Sequence, residues 1–348
     1  MVLAIVAGGS LWAAAQQGTL GFDFLAYHQA ANRVLAGQPL YDPSTQATGG
    51  FGLFYYPPPF ILAVLPLSPL DPAVATWLWA GLSLAALVGG IALMPVSRDV
   101  RWLTLLLGGL SWPVAYALKL GQVGPFLLLL FAIGWRRLDS PLAVGGSAAL
   151  GAIVKLQPGL ILVWAALTRR WRAVAVGMAI LIAAAAIATV LLGGLRVWTD
   201  YLALLRNVSD PIATPHNFTP GAVAYQAGVP SNLATGIQLF SSVAAVAAVV
   251  IAALRCTPAA SYLVAVTASQ LLSPVLWDHY AMLLLLPVAY LLERRHWWAA
   301  AIPLASSVFL IGFTPPAAYP IAFWLTLIAV AAIGFARRPD GVPQPAAA

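Results

Sequence analysis

"YYPPPFILAVLPLSPLD", residues 55–71, decides how the whole chain is threaded. Its apolar core runs about twelve residues, or ~18 Å as a helix at ~1.5 Å per residue, well short of a ~30 Å hydrocarbon core. Read as a span, it inverts every loop that follows. Read as a helix lying in the outer leaflet, it leaves all the arginine clusters on one side: Arg98/Arg101, Arg136/Arg137, Arg169/Arg170/Arg172, Arg255, Arg294/Arg295 and Arg337/Arg338. Cytoplasmic loops of membrane proteins are enriched in Lys and Arg, so the second reading is the one adopted. Each interval between clusters then leaves the cytoplasm, turns once outside at a polar motif and returns. The outer turns fall at 17–71, Lys119–Gln122, Lys155–Pro158, 194–232, 273–280 and 314–316. About twelve crossings follow, with both termini cytoplasmic. Residues 1–336 make a single integral membrane domain with long outer loops at 17–71 and 194–232, and 337–348 form a short cytoplasmic tail.

Composition agrees with that class. The chain is 61% hydrophobic and 8% charged, where soluble domains carry about 25% charged residues. Only helices and closed barrels satisfy their backbone hydrogen bonds in lipid, and the apolar runs are too long and uniform for barrel strands. The expectation is an all-α polytopic protein of the cell membrane, a monomer by default. The net charge of +7 comes from small basic clusters between apolar runs, which argues against nucleic acid as a partner. One cysteine, Cys256, excludes an internal disulfide. The first segment lacks the basic start of a signal peptide and reads as a retained span.

Several hairpin arms are short. Pro141–Val154 is fourteen residues, ~21 Å as a helix, and the arms Val123–Trp135 and Ala281–Glu293 are shorter. The turns "KLGQ" (119–122), "KLQP" (155–158) and "SPVLWDHY" (273–280) should therefore lie below the outer surface, at the floor of an outward-facing cavity. Irregular backbone at that depth is tolerated only against protein or water. Asp23, Lys119, Gln122, Lys155, Gln157, Asn217, Asp278 and His279 all fall on this side, with Tyr55 and Tyr56 in the first outer loop. A Lys or Asp at mid-depth costs roughly 2.5–3.5 kcal/mol on insertion scales. Lys119 and Lys155 thus ask for an anionic partner, and a phosphate would serve.

Each of these residues also has a purely structural reading. Asp23 is a good helix cap, and the lysines can snorkel to headgroups. Gln122 and Gln157 can satisfy turn backbone. Asp278 can cap a helix, pair with Lys155 or rival Asp23 as a base. His279 can be a packed interfacial histidine, and Tyr55 and Tyr56 can belong to an aromatic belt. The sequence carries no Walker loop, GxSxG elbow, HExxH or CxxC spacing, so neither a metal site nor a cofactor is expected.

The ordered set "GFDFLAYHQAANRVLAGQPLYD" (21–42), "FYYPPPF" (54–60), "LKLGQVGPFLLL" (118–129), "VKLQPGLILVWAALTRRWR" (154–172), "NFTPGA" (217–222) and "SPVLWDHY" (273–280) resembles the integral-membrane glycosyltransferases of family 87. The resemblance runs from about residue 18 to 293. It implies a GT-C-like helical bundle, a polyprenyl-phosphate sugar as donor, and α-mannosyl-type transfer outside the cytoplasmic membrane. In that family an aspartate of the first outer loop is the proposed catalytic base, and Asp23 matches it. His279 matches a histidine of the active-site region. One base and an anionic leaving group suit an inverting hexosyl transfer to a lipid or glycan acceptor, with membrane lipids as the surroundings. The competing expectation is a transporter or lipid-linked sugar flippase. Transporters commonly carry two related halves, and no half-repeat is visible here.

Overall fold

In a computed structural model the chain is helical throughout, with two isolated backbone bridges and no strand among the described residues, 2–41, 53–207 and 210–335. Asp42, the Arg337/Arg338 pair and the 337–348 tail lie outside them.

The first half holds α1 (Val2–Gln16), α2 (Phe22–Leu35), α3 (Ile61–Val64), α4 (Pro72–Leu93), α5 (Arg98–Leu110), α6 (Trp112–Leu120), α7 (Gly124–Arg136) and α8 (Pro141–Val154). The second holds α9 (Leu160–Leu167), α10 (Trp171–Leu191), α11 (Arg196–Asn207), α12 (Pro220–Gln226), α13 (Ser231–Arg255), α14 (Pro258–Leu271), α15 (Leu285–Glu293), α16 (Ala301–Ala305) and α17 (Ala318–Gly334). Local chemistry sets many of the starts. Proline occupies the first helical position of α4, α8, α12 and α14, where its fixed φ helps and its missing N–H is no loss. Asp71, Ser140 and Thr219 cap three of these helices, Asp71 accepting from Ala73 N–H at 2.9 Å and Val74 N–H at 3.3 Å.

Residues 58–67 form a ten-residue helical segment with α3 at its centre. At ~1.5 Å per residue it rises ~15 Å, too little to cross a bilayer, as its length in the sequence predicts. The count of crossings is a different matter. Twelve are expected from the arginine alternation, yet three described helices are long and apolar enough to span, α4, α10 and α13, or four if the bent pair α6–α7 counts as one. The reason is geometric. The alternation counts apolar runs, whereas α8, α9 and α17 are apolar but only 14, 8 and 17 residues long, and α6 and α7 meet at 117°.

The interior is built around α14, buried at every position from Ala260 to Leu271. Trp164 of α9 is fully buried and donates from Nε1 to Ser261 Oγ of α14 at 3.1 Å. Two of the long apolar helices are peripheral: α10 buries only Ala173, Gly177 and Ala188, and α13 only Ala234, Ser241, Ala245, Val249 and Ala252, which suits an outer surface against lipid. Around this frame, the α6–α7 bend, the α8–α9 turn and the 273–284 segment come together. The 278–284 part packs on α6, α7 and α17, and the 157–159 turn packs on α14.

Candidate functional site

Two glycines place Asp23. Gly21, immediately before α2, has φ 73°, and its N–H donates to the Lys119 carbonyl at 2.8 Å. Gly121, ending α6, has φ 70°, and its carbonyl accepts from Trp79 Nε1 at 2.8 Å. A Cβ on Gly121 would stand 2.7 Å from Phe24 Cβ, and one on Gly21 would stand 2.5 Å from Thr76 Cγ2. Both positions need a left-handed backbone and no side chain. With the backbones this close, Gln122 Nε2 donates to Asp23 Oδ2 at 2.5 Å. Asp23 is therefore not a helix cap. It lies within the first turn of α2, the residue before the helix is Gly21, and the carboxylate turns to Gln122.

Behind Gln122 stand two buried tyrosines. Tyr56 OH donates to Gln122 Oε1 at 3.2 Å, and the Tyr27 and Tyr56 hydroxyls lie 2.6 Å apart. Tyr41 OH bonds the Tyr56 carbonyl at 2.5 Å and fixes that backbone. Lys155, in the α8–α9 turn, sets its Nζ 3.7 Å from the centre of the Tyr280 ring and 5.9 Å from that of Tyr56, two cation–π contacts. On the far side, Asp278 Oδ2 accepts from Trp112 Nε1 at 3.0 Å, and Oδ1 from its neighbour's backbone, His279 N–H, at 2.8 Å. His279 Nδ1 lies 3.6 Å from Asp278 Oδ1, beyond hydrogen-bond distance. Both its ring nitrogens are buried without a hydrogen-bond partner among the described residues, while the ring lies parallel to Trp277 and edge-on to Tyr116 and Tyr280.

The electrostatics follow from burial and neighbours. Burial lifts the Asp23 carboxyl above its usual 3.8, and His279, Gln122 and Lys155 offset this only in part. Burial brings the Lys155 ammonium down to about 7, against the pull of Asp23. Its side chain is half-buried and its nitrogen is surrounded by protein, and that environment sets the shift. Burial also lowers His279 despite the nearby Asp278. Asp278 goes the other way: burial raises it, but His279, Trp112 and its backbone donor outweigh burial and hold it below the ordinary value. Among the described residues no three His, Cys, Asp or Glu side chains are grouped to hold a metal. The result is one raised carboxyl bonded to an amide, with the Lys155 ammonium and the His279 imidazole near enough to act on its charge.

The sequence model of glycosyltransferase family 87 matches residues 54–276, about two-thirds of the chain. The chain belongs to glycosyltransferase family 87. No curated protein and no solved structure matches it. In this family 87 glycosyltransferase, Tyr55, Tyr56, Lys119, Gln122, Lys155, Gln157 and Asn217 lie inside the matched stretch, while Asp23, Asp278 and His279 lie beyond its ends. The fold joins the two sets.

Not every sequence candidate enters the cluster. Asn217 is fully buried with its amide in use: Nδ2 donates to the Pro211 and Pro274 carbonyls, and Oδ1 accepts from Thr219 and Leu276 N–H. It ties the "NFTP" loop to the 273–280 segment. Gln157 Nε2 donates to Ser273 Oγ at 2.9 Å and anchors that segment from the other side. Lys119 contributes its carbonyl to Gly21, while its half-buried side chain has no hydrogen bond or ion pair among the described residues. The Tyr55 hydroxyl is buried without a hydrogen-bond partner among the described residues. The three turns come together as expected from the sequence. A cavity of about 260 Å³ lies beside the 278–284 segment, lined by apolar groups such as Leu284, Ile302 and Ala322, with Ser111 and Tyr319. Sequence reasoning passed over Tyr27, Trp79, Tyr116 and Tyr280. Tyr27 lies one helical turn after Asp23, and Tyr280 follows His279. Those two spacings were the available signal.

Proposed function

We propose that this glycosyltransferase moves a hexose, mannose by preference, from a polyprenyl-phosphate donor to a hydroxyl of a lipid or glycan acceptor, outside the cytoplasmic membrane and with inversion. Asp23 is the general base. The observation that supports this reading is one carboxyl, raised by burial and bonded on a single oxygen, facing Lys155 and His279. The acceptor oxygen bonds to the anomeric carbon as Asp23 takes its proton. The bond from that carbon to the phosphate oxygen breaks, and polyprenyl phosphate leaves as an anion. Lys155 and His279 are the groups proposed to bind the donor's phosphate. No second carboxylate is needed, because the leaving group departs already ionised. The outward orientation rests on the arginine alternation.

Asp23→Asn tests this. Asn keeps the volume, and its amide oxygen still accepts from Gln122. The purified variant is expected to unfold at the normal temperature and to lose about 10²–10⁴-fold in turnover, the worth of a positioned base. Labelled donor separates transfer from transport, since transfer releases polyprenyl phosphate and transport leaves the donor intact. Normal turnover in the variant would remove Asp23 from the chemistry.

A further inference from the structure

We propose that Tyr27, Tyr56 and Gln122 form a one-way hydrogen-bond donor chain that holds Asp23 as the carboxylate; Tyr27, Tyr56 and Gln122 are positioning residues that do not touch substrate. This rests on the reading of Asp23 as the base. The direction of the chain follows from counting protons. Tyr56 has a single hydroxyl proton, and Gln122 Oε1 can only accept, so that proton goes to Gln122 across 3.2 Å. The 2.6 Å contact between the tyrosines is then filled by Tyr27 donating to Tyr56. With Oε1 engaged, Gln122 must present Nε2 to Asp23 Oδ2, and it does. Every proton points toward Asp23, which receives a bond that suits an ionised oxygen.

The reverse direction is poorly satisfied. A protonated Asp23 donating to Gln122 requires the amide to turn over, Nε2 to donate to Tyr56, and Tyr56 to donate to Tyr27. The Tyr27 hydroxyl has no other hydrogen-bond partner among the described residues, and the side chain is 1% exposed. Its proton would be buried without an acceptor, which is unfavourable. The closed end of the chain at Tyr27 therefore keeps Oδ2 an acceptor, which favours the carboxylate and leaves Oδ1 as the oxygen that takes a proton. The other groups that face Asp23 are Lys155 from the α8–α9 turn, His279 and Tyr280 from the 278–284 segment, and Tyr116 from α6. None of these is altered by the substitutions below. The chain acts against the burial that lifts the carboxyl, so that the base is ionised before substrate arrives.

The test reads protonation of Asp23 directly, without turnover. Dicyclohexylcarbodiimide modifies protonated carboxyls, and the extent of labelling at Asp23 can be followed by mass spectrometry across pH in the full-length purified protein. Tyr56→Phe should raise the midpoint of labelling by about half a pH unit, because Tyr56 acts on the carboxylate through the Gln122 amide and not by a bond of its own. Tyr27→Phe should raise it by less, in the same direction. The acid limb of kcat/KM should move with the midpoint in each variant. If Tyr56→Phe does not fold, Tyr27→Phe carries the test alone. Midpoints equal to that of the unaltered protein would overturn the chain. Shifted midpoints in a protein whose Asp23→Asn variant turns over normally would keep the chain and discard the base.

Discussion

Asp23 accepts one side-chain hydrogen bond, on Oδ2 from Gln122, and its Oδ1 has no protein donor among the described residues. Asp278 accepts on both oxygens, from the Trp112 indole and from the His279 backbone, with the imidazole 3.6 Å away. Both carboxyls are in the same cluster and both are largely enclosed, yet burial wins at Asp23 and the donors win at Asp278. The difference separates two tasks. A carboxyl with one free oxygen and raised basicity can take a proton, whereas one held at both oxygens and kept ionised is suited to fix the backbone that carries His279. Sequence alone left these two residues as rivals for one role.

The sharpest way to break this comparison is to make the Asn substitution at both positions. Asp23→Asn is expected to cost 10²–10⁴-fold in turnover, whereas Asp278→Asn should cost about tenfold to a hundredfold, through loosened orientation of His279. Equal losses measured in one donor-hydrolysis and transfer assay would erase the distinction, and a larger loss at Asp278 would reverse it.

A smaller effect is expected at Lys155, and it should appear in donor binding. With its ammonium brought to about 7 by burial, Lys155 carries charge below that pH and loses it above. The donor KM should rise as the pH passes about 7. Lys155→Ala should raise the KM about tenfold at pH 6, with kcat nearly unchanged, and flatten the rise. A loss confined to kcat would place Lys155 on the transition state instead. The smallest effect belongs to Trp112→Phe. It removes one donor from Asp278 but leaves the His279 backbone donor, so a loss of about two- to tenfold is expected. If it equals Asp278→Asn, the indole has a further task, and its stacking on Tyr116, with ring centres 4.9 Å apart, is where that would lie.

What was readable beforehand follows from how local each feature is. Asp23, Lys155 and His279 stood out because a charged group in an apolar chain is costly and must have a reason. Tyr27 did not, because an aromatic on the inner face of a helix looks like core whether or not its hydroxyl is in use. Asn217 was selected for its polarity, and its polarity is consumed by the backbone of two loops.

The sequence by itself determined the membrane class, the helical content and the short 58–67 segment. All of these depend on composition, period and length within one stretch of chain. Tertiary structure alone decided the rest. Asp23 meets Gln122 across 99 residues only because left-handed turns at Gly21 and Gly121 let two backbones touch. The number of long spans falls below the number of apolar runs because α6 and α7 bend by 117° and other arms stop short. Such contacts and angles depend on which surfaces fit together in space, and no periodicity along the chain encodes that.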